Sequence, residues 1–108
     1  MWSPFYGYYY IKTPTIYDSM ETKVVENYLE GISGIIKNAE GSYSFDGEFL
    51  SLQLMNVKNF DSWSSNDYSR EKVNYIAIVT SKRTDNPKIM DMLLGFARHL
   101  QLPLEEED

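Results

Sequence analysis

Residues 72–81, KVNYIAIVTS, put Val73, Tyr75, Ala77 and Val79 on one side of an extended chain and Asn74, Ile76, Ile78 and Thr80 on the other. Successive side chains of a strand point to opposite faces, so apolar residues on both faces require cover on both sides. This segment predicts an internal strand, around which the rest of the chain has to supply neighbouring strands and two coverings. A neighbour stands just upstream. From Phe49 to Val57 the pattern has period two, with Leu50, Leu52 and Leu54 on a core face and Ser51 and Gln53 alternating with Phe49, Met55 and Val57 on the other. Asp46-Gly47 before it is a two-residue hairpin signal, because both residues tolerate positive φ.

Two segments have helical period instead. In YDSMETKVVENYLEGISG, residues 17–34, Met20, Val24, Val25, Tyr28, Leu29 and Ile32 form one stripe. Asp18 and Glu21 have capping-box spacing, Gly31 and Gly34 supply the stop, and Glu21, Lys23, Glu26 and Glu30 make a solvated face. In the second segment Asn86 is the expected cap, Pro87 opens the helix, and Ile89, Met90, Leu93, Leu94, Ala97 and Leu100 form the stripe. Near the N-terminus SPFYGYYYIK reads as a strand with Tyr6, Tyr8 and Tyr10 on one face and Phe5, Tyr9 and Ile11 on the other, and Ile35-Ile36 begins a further strand before a turn at residues 38–41. The expected fold is α+β, a two-layer sandwich of a mostly antiparallel sheet of four or five strands and two amphipathic helices, in the order β-α-β-β-β-β-α. A single domain over residues 1–108 is expected, with residues 105–108 as a solvated acidic tail.

Sixteen acidic residues against ten basic ones give a net charge of -6, which disfavours a nucleic-acid partner and suits a basic protein. The chain holds no cysteine, which removes disulfides and thiolate chemistry. Apolar runs are far shorter than a membrane span, and the N-terminus lacks the order of a signal peptide, so a cytoplasmic protein without membrane association is expected.

Catalytic constellations are missing from the sequence. His99, the only histidine, stands near the C-terminus of the second helical segment, where a cation interacts well with the helix dipole. Asp46 with Glu48 is a possible acid/base or oxygen-ligand pair, but the hairpin already accounts for Asp46 and a strand edge for Glu48. A hydrolase using these residues ranks below the binding readings. The glycines at 7, 31, 34, 41, 47 and 95 have no phosphate-loop or dinucleotide spacing. Lys82, Arg83 and Lys88 form a small basic cluster around Asp85, best read as a solvated turn. No cofactor and no metal are expected.

Residues 59–69, NFDSWSSNDYS, have no period at all, within a connection of about sixteen residues from Asn56 to Glu71. Trp63, Phe60 and Tyr68 interleave there with Asp61 and Asp67, combining rigid contact area with carboxylates suited to arginine or lysine. Trp63 is either a lid on the core or an interface anchor.

The closing third, VNYIAIVTS followed by KRTDNP, KIMDMLLGFARHL and QLPLEEED, together with the size, charge and α+β order, resembles small acidic immunity proteins of bacterial contact-dependent inhibition and polymorphic-toxin systems. The resemblance implies a noncatalytic protein that binds one cognate toxin, a basic domain of nuclease type, and occludes its active site. It transfers no binding residue. From the residues themselves the expected partner-binding set is Asp46 and Glu48 at the hairpin with Asp61, Trp63, Asp67 and Tyr68 in the loop. The alternative is a small regulatory or adaptor domain acting by protein contact or homodimerisation, for example through Tyr6, Tyr8 and Tyr10; a monomer or weak dimer is expected.

Overall fold

In the computed structural model, which describes residues 5–64, 67–81 and 87–107, the two-faced segment becomes strand β7 (Tyr75–Ser81) and lies inside the sheet. Its neighbours are β5 (Glu48–Met55) and β1 (Tyr6–Lys12), both antiparallel to it. The other strands of the sheet are β3 (Ile35–Ala39), β4 (Ser42–Phe45) and β8 (Glu105–Glu106), in the spatial order β3-β4-β5-β7-β1-β8. A second sheet of two short strands joins β2 (Met20–Glu21) to β6 (Lys72–Val73). Helices α1 (Thr22–Glu30) and α2 (Pro87–Leu100) complete an α+β fold.

Register explains which residues share a face. One row crosses four strands as Tyr9, Ile78, Leu52 and Tyr43, and the next runs Ile11, Ile76 and Leu54. Against these rows lie Val25 and Leu29 of α1 and Ile89, Leu93, Phe96 and Ala97 of α2, so both helices cover the same sheet face and build the main core. The opposite face carries Met55, Val57 and Tyr75, with Tyr10, Ile16, Phe60 and Ala77 packed around them. Each face of β7 therefore receives its cover from a different source.

Five expectations need correcting. The main sheet has six strands, two of them additional or shorter than period alone reveals. Residues 105–106 are not a free tail: Glu105 pairs with Tyr10 and Glu106 with Tyr9, and the Glu107 N–H donates to the Tyr8 carbonyl at 2.8 Å. The anchoring is apolar, since Leu102 and Leu104 just upstream pack on the main core. The Asp18–Glu21 capping box does not form. Asp18 Oδ2 instead accepts from the Thr15 N–H at 3.0 Å and hydroxyl at 2.9 Å, and the helix begins only at Thr22 because Met20 and Glu21 pair with Val73 and Lys72. At the β4–β5 turn only Gly47 takes positive φ, +81°, while Asp46 stays on the negative side. Along the helices Phe96 is fully buried and Leu94 is largely exposed, the reverse of the stripe read from spacing. Lys82, Arg83, Asp85 and Asn86 lie outside the described residues.

Helix α2 ends without glycine. The Gln101 N–H donates to the Arg98 carbonyl at 3.0 Å and the Leu102 N–H to the Ala97 carbonyl at 3.1 Å, the bonding of a Schellman motif, and Gln101 occupies its left-handed position at φ 59°. A side chain is disfavoured there, so Gln101→Gly is expected to stabilise the fold by about 0.5–1 kcal/mol, read as a higher urea midpoint with unchanged slope.

Candidate functional site

The long connection is built from local turns and one buried polar residue. Asn59 Oδ1 accepts from the Asp61 N–H at 2.8 Å, and Asp67 Oδ2 accepts from the Ser64 N–H at 2.9 Å, so each end of the aromatic stretch is closed by its own side chain. Its root is held by Asn74, only 1% exposed. The Asn74 side chain accepts from the Val57 N–H at 2.8 Å and donates to the Val57 carbonyl at 3.0 Å and the Ile16 carbonyl at 3.4 Å. Its backbone bonds Met55 and Thr13. A buried polar residue between β6 and β7 thus fastens three segments beside the end of β5, where the loop leaves the sheet.

Fixed in this way, the first half of the loop lies over the sheet face away from the helices. Tyr75 is the floor, 4% exposed, with Tyr10 stacked on it at 5.8 Å between ring centroids, Trp63 tilted against it at 5.5 Å and Phe60 at 6.0 Å. Beside these rings opens a cleft of about 280 Å³ lined by Tyr10, Phe60, Tyr75, Asp61, Glu106 and Glu107, with Lys12 across them; Asp61 and Glu107 act on the Tyr75 phenol, whereas Glu106 pairs with Tyr9 and shares its face. The Lys12 ammonium lies 4.9 Å from the Phe60 ring centre and 5.6 Å from that of Tyr10, within cation–π range.

No family model, curated protein or solved structure matches this chain. Its site has to be read from its own geometry. The carboxylates of Asp61 and Glu107 against the one ammonium of Lys12 make the cleft negative, while Glu106, paired with Tyr9, shares that residue's face. Burial, then the charge of Glu107, pushes Tyr75 up to about 12. Burial followed by Glu105 and Glu107 raises Tyr10, and burial followed by Glu106 raises Tyr9. An aromatic wall with carboxylates at its rim suits an organic cation. Among the described residues no group of three or more His, Asp or Glu side chains converges as metal ligands would, and no helix is long and apolar enough to cross a membrane.

The raised phenol has a consequence for stability. Below pH 10 Tyr75 is protonated in both the folded and unfolded chain, whereas between its ordinary 10.0 and about 12 only the unfolded chain has lost the proton. Unfolding then releases a proton, and stability falls with rising pH by about 1.4 kcal/mol per unit, on the order of 2–3 kcal/mol across the window. Urea midpoints followed through this range are expected to drop, and Tyr75→Phe is expected to flatten the drop.

The six residues nominated from sequence do not form one patch. Asp61 lines the cleft, and Trp63 packs on the Tyr75 ring beside it while staying 41% exposed. Asp67 is taken up by its turn. Tyr68 goes to the helix side, where it packs on the main core with its ring against Gly41, and burial, then Glu26 and Glu40, raise its phenol. Asp46 and Glu48 lie at the start of β5 and the loop leaves from its end, eight residues and about 25 Å away.

The lining residues not nominated from sequence are Tyr10, Lys12, Phe60, Tyr75, Glu106 and Glu107. One signal pointed to Tyr75: the apolar outer face of residues 75–79 demands a cover, and the aromatic loop before it is the nearest one. The carboxylates of β8 had no such signal, because their pairing depends on where Leu102 and Leu104 dock.

Other candidates are engaged in packing. His99 stacks on Tyr28 at 4.1 Å, and Tyr28 in turn on Phe96 at 5.7 Å, which joins the two helices. Glu26 and Glu30, expected on a solvated face, take the Tyr43 hydroxyl at 3.1 and 3.3 Å and the Lys37 ammonium at 3.6 and 3.8 Å. Burial, then the bond to Glu26, holds the Tyr43 phenol well above its ordinary value.

Proposed function

We propose that the chain is a binding protein for a basic partner, and within that class an immunity protein that neutralises a cognate bacterial toxin of nuclease type by occluding its active site. The observation that carries this reading is the acidic, aromatic cleft formed by the loop, β1, β7 and β8. The net charge of -6 supports it, because opposite charge accelerates association, as an inhibitor of a toxin requires. The resemblance of the closing third to such immunity proteins supplies the toxin.

The test is capture with a tagged chain from its native cell, combined with the neighbouring genes. The expected partner is a basic toxin domain, encoded next to this gene, whose killing is relieved by co-expression, with an association rate that falls about 10- to 1000-fold from low to high salt. Recovery of no toxin, with no toxin gene adjacent, overturns the reading.

A second reading, homodimerisation or adaptor contact, is favoured by a different patch. Phe5 and Phe49 are 55% and 49% exposed, and with Tyr6 and Ser81 they line a groove of about 330 Å³. Tyr6 and Phe49 approach to 5.2 Å. That reading expects salt-independent self-association in sedimentation, lost in Phe49→Ser, and a strict monomer at high concentration counts against it.

A further inference from the structure

We propose that the cleft beside Tyr75 receives one arginine side chain of the partner, and that Lys12 occupies the cation position until it arrives. The inference rests on the binding reading above and deepens it, naming the chemical group that is recognised. It starts from Lys12 itself. The chain has placed its own ammonium over the faces of Phe60 and Tyr10, beside aromatic walls and the acidic residues Asp61 and Glu107. Ring faces and carboxylates both favour positive charge, so the position is a cation site by construction.

Lysine is an imperfect occupant. Its point charge is strongly hydrated and sits on a flexible four-carbon stem, whereas guanidinium is planar, more weakly hydrated, stacks on rings and takes carboxylates in a bidentate pair. Lys12 is the last residue of β1, and its stem can turn out toward solvent without disturbing the pairing of Lys12 with Tyr75 in the sheet. Trp63, packed on the Tyr75 ring that lines the cleft and 41% exposed, is placed to report an incoming side chain. Phosphate groups meet like charge here, which leaves a cationic side chain of a protein as the fitting ligand.

Two tryptophans are present, so Trp2→Phe leaves Trp63 as the sole reporter. Its fluorescence is titrated with N-acetyl-arginine amide, the lysine analogue and the neutral citrulline analogue. The expected result is saturable change with the arginine compound in about the millimolar range, weaker binding of lysine and none of citrulline. Lys12→Ala is expected to tighten arginine binding about threefold to tenfold by removing the resident cation, and Asp61→Asn to weaken it about tenfold, both with unchanged thermal midpoints. Arginine that fails to saturate, citrulline that binds equally, or Lys12→Ala without effect overturns the proposal. No toxin enters these titrations, so the two readings fail separately. A captured toxin that binds the Lys12→Ala and Asp61→Asn variants unchanged removes the cleft and leaves the immunity reading; arginine binding without any toxin partner does the opposite.

Discussion

Replacing Asn74 by alanine is expected to lower stability by about 3 kcal/mol, enough to shift the urea midpoint strongly in a domain whose total is about 5–15 kcal/mol. The deleted amide serves the N–H and the carbonyl of Val57 and the carbonyl of Ile16. A buried backbone group that loses its partner costs about 1–3 kcal/mol, and here two such groups belong to one residue, Val57, itself buried. The backbone bonds of Asn74 to Met55 and Thr13 survive the substitution, so the loss reports the side chain alone. Leucine at this position fills the volume without the bonds and is expected to be no better than alanine. If Asn74→Leu restores stability, the polar bolt is not what fastens the loop. The cleft should be affected as well, because the Asn74 contacts set where Phe60 and Trp63 descend over Tyr75.

The second large effect is expected at Gly41. Its φ of +75° lies in the left-handed region, and a β-carbon built there falls 2.2 Å from the ring of Tyr68. Gly41→Ala therefore combines a backbone penalty of about 1–2 kcal/mol with displacement of a packed aromatic, about 3 kcal/mol or more in total. The two parts separate in a double-mutant cycle. In a Tyr68→Ala background the obstruction is gone, and Gly41→Ala should cost only the backbone part, leaving a coupling of about 1–2 kcal/mol. Equal costs in both backgrounds would show that Tyr68 moves aside freely. This contact also explains the division of the loop. One end turns to the helix side through Tyr68 on Gly41, and the other crosses to the far face through Trp63 on Tyr75.

These sites show where local reading succeeds. Leu50, Leu52 and Leu54 were legible as a core face and are buried, because strand alternation is a property of the backbone and needs no knowledge of partners. The same holds for β7 as an internal strand and for two helices on an antiparallel sheet. Asp18 shows the limit. Its spacing to Glu21 fits a cap, but Thr15 offers a closer bond, and the pairing of Met20 and Glu21 with β6 delays the helix by several residues. Competition between a local motif and a distant strand is decided by contacts about 50 residues apart in the chain.

The candidate site follows the same division. Asp61 and Trp63 were recognisable because an unpatterned loop rich in rings and carboxylates lacks a packing explanation of its own. Glu106 and Glu107 were not, since a run of acids reads as solvated until something anchors it. Leu102 and Leu104 on the core provide the anchor, and the pairing of β8 with β1 then brings Glu105 and Glu107 to Tyr10 and Glu106 to Tyr9. Asp46 and Glu48 have the right chemistry at the wrong end of β5. Period and composition reach the class of fold and the core faces, because these depend on side-chain chemistry repeated along the backbone. Which carboxylates meet which rings depends on register and on the docking of the last residues beside the first strand, and the free energies that choose them come from long-range packing that no local pattern contains.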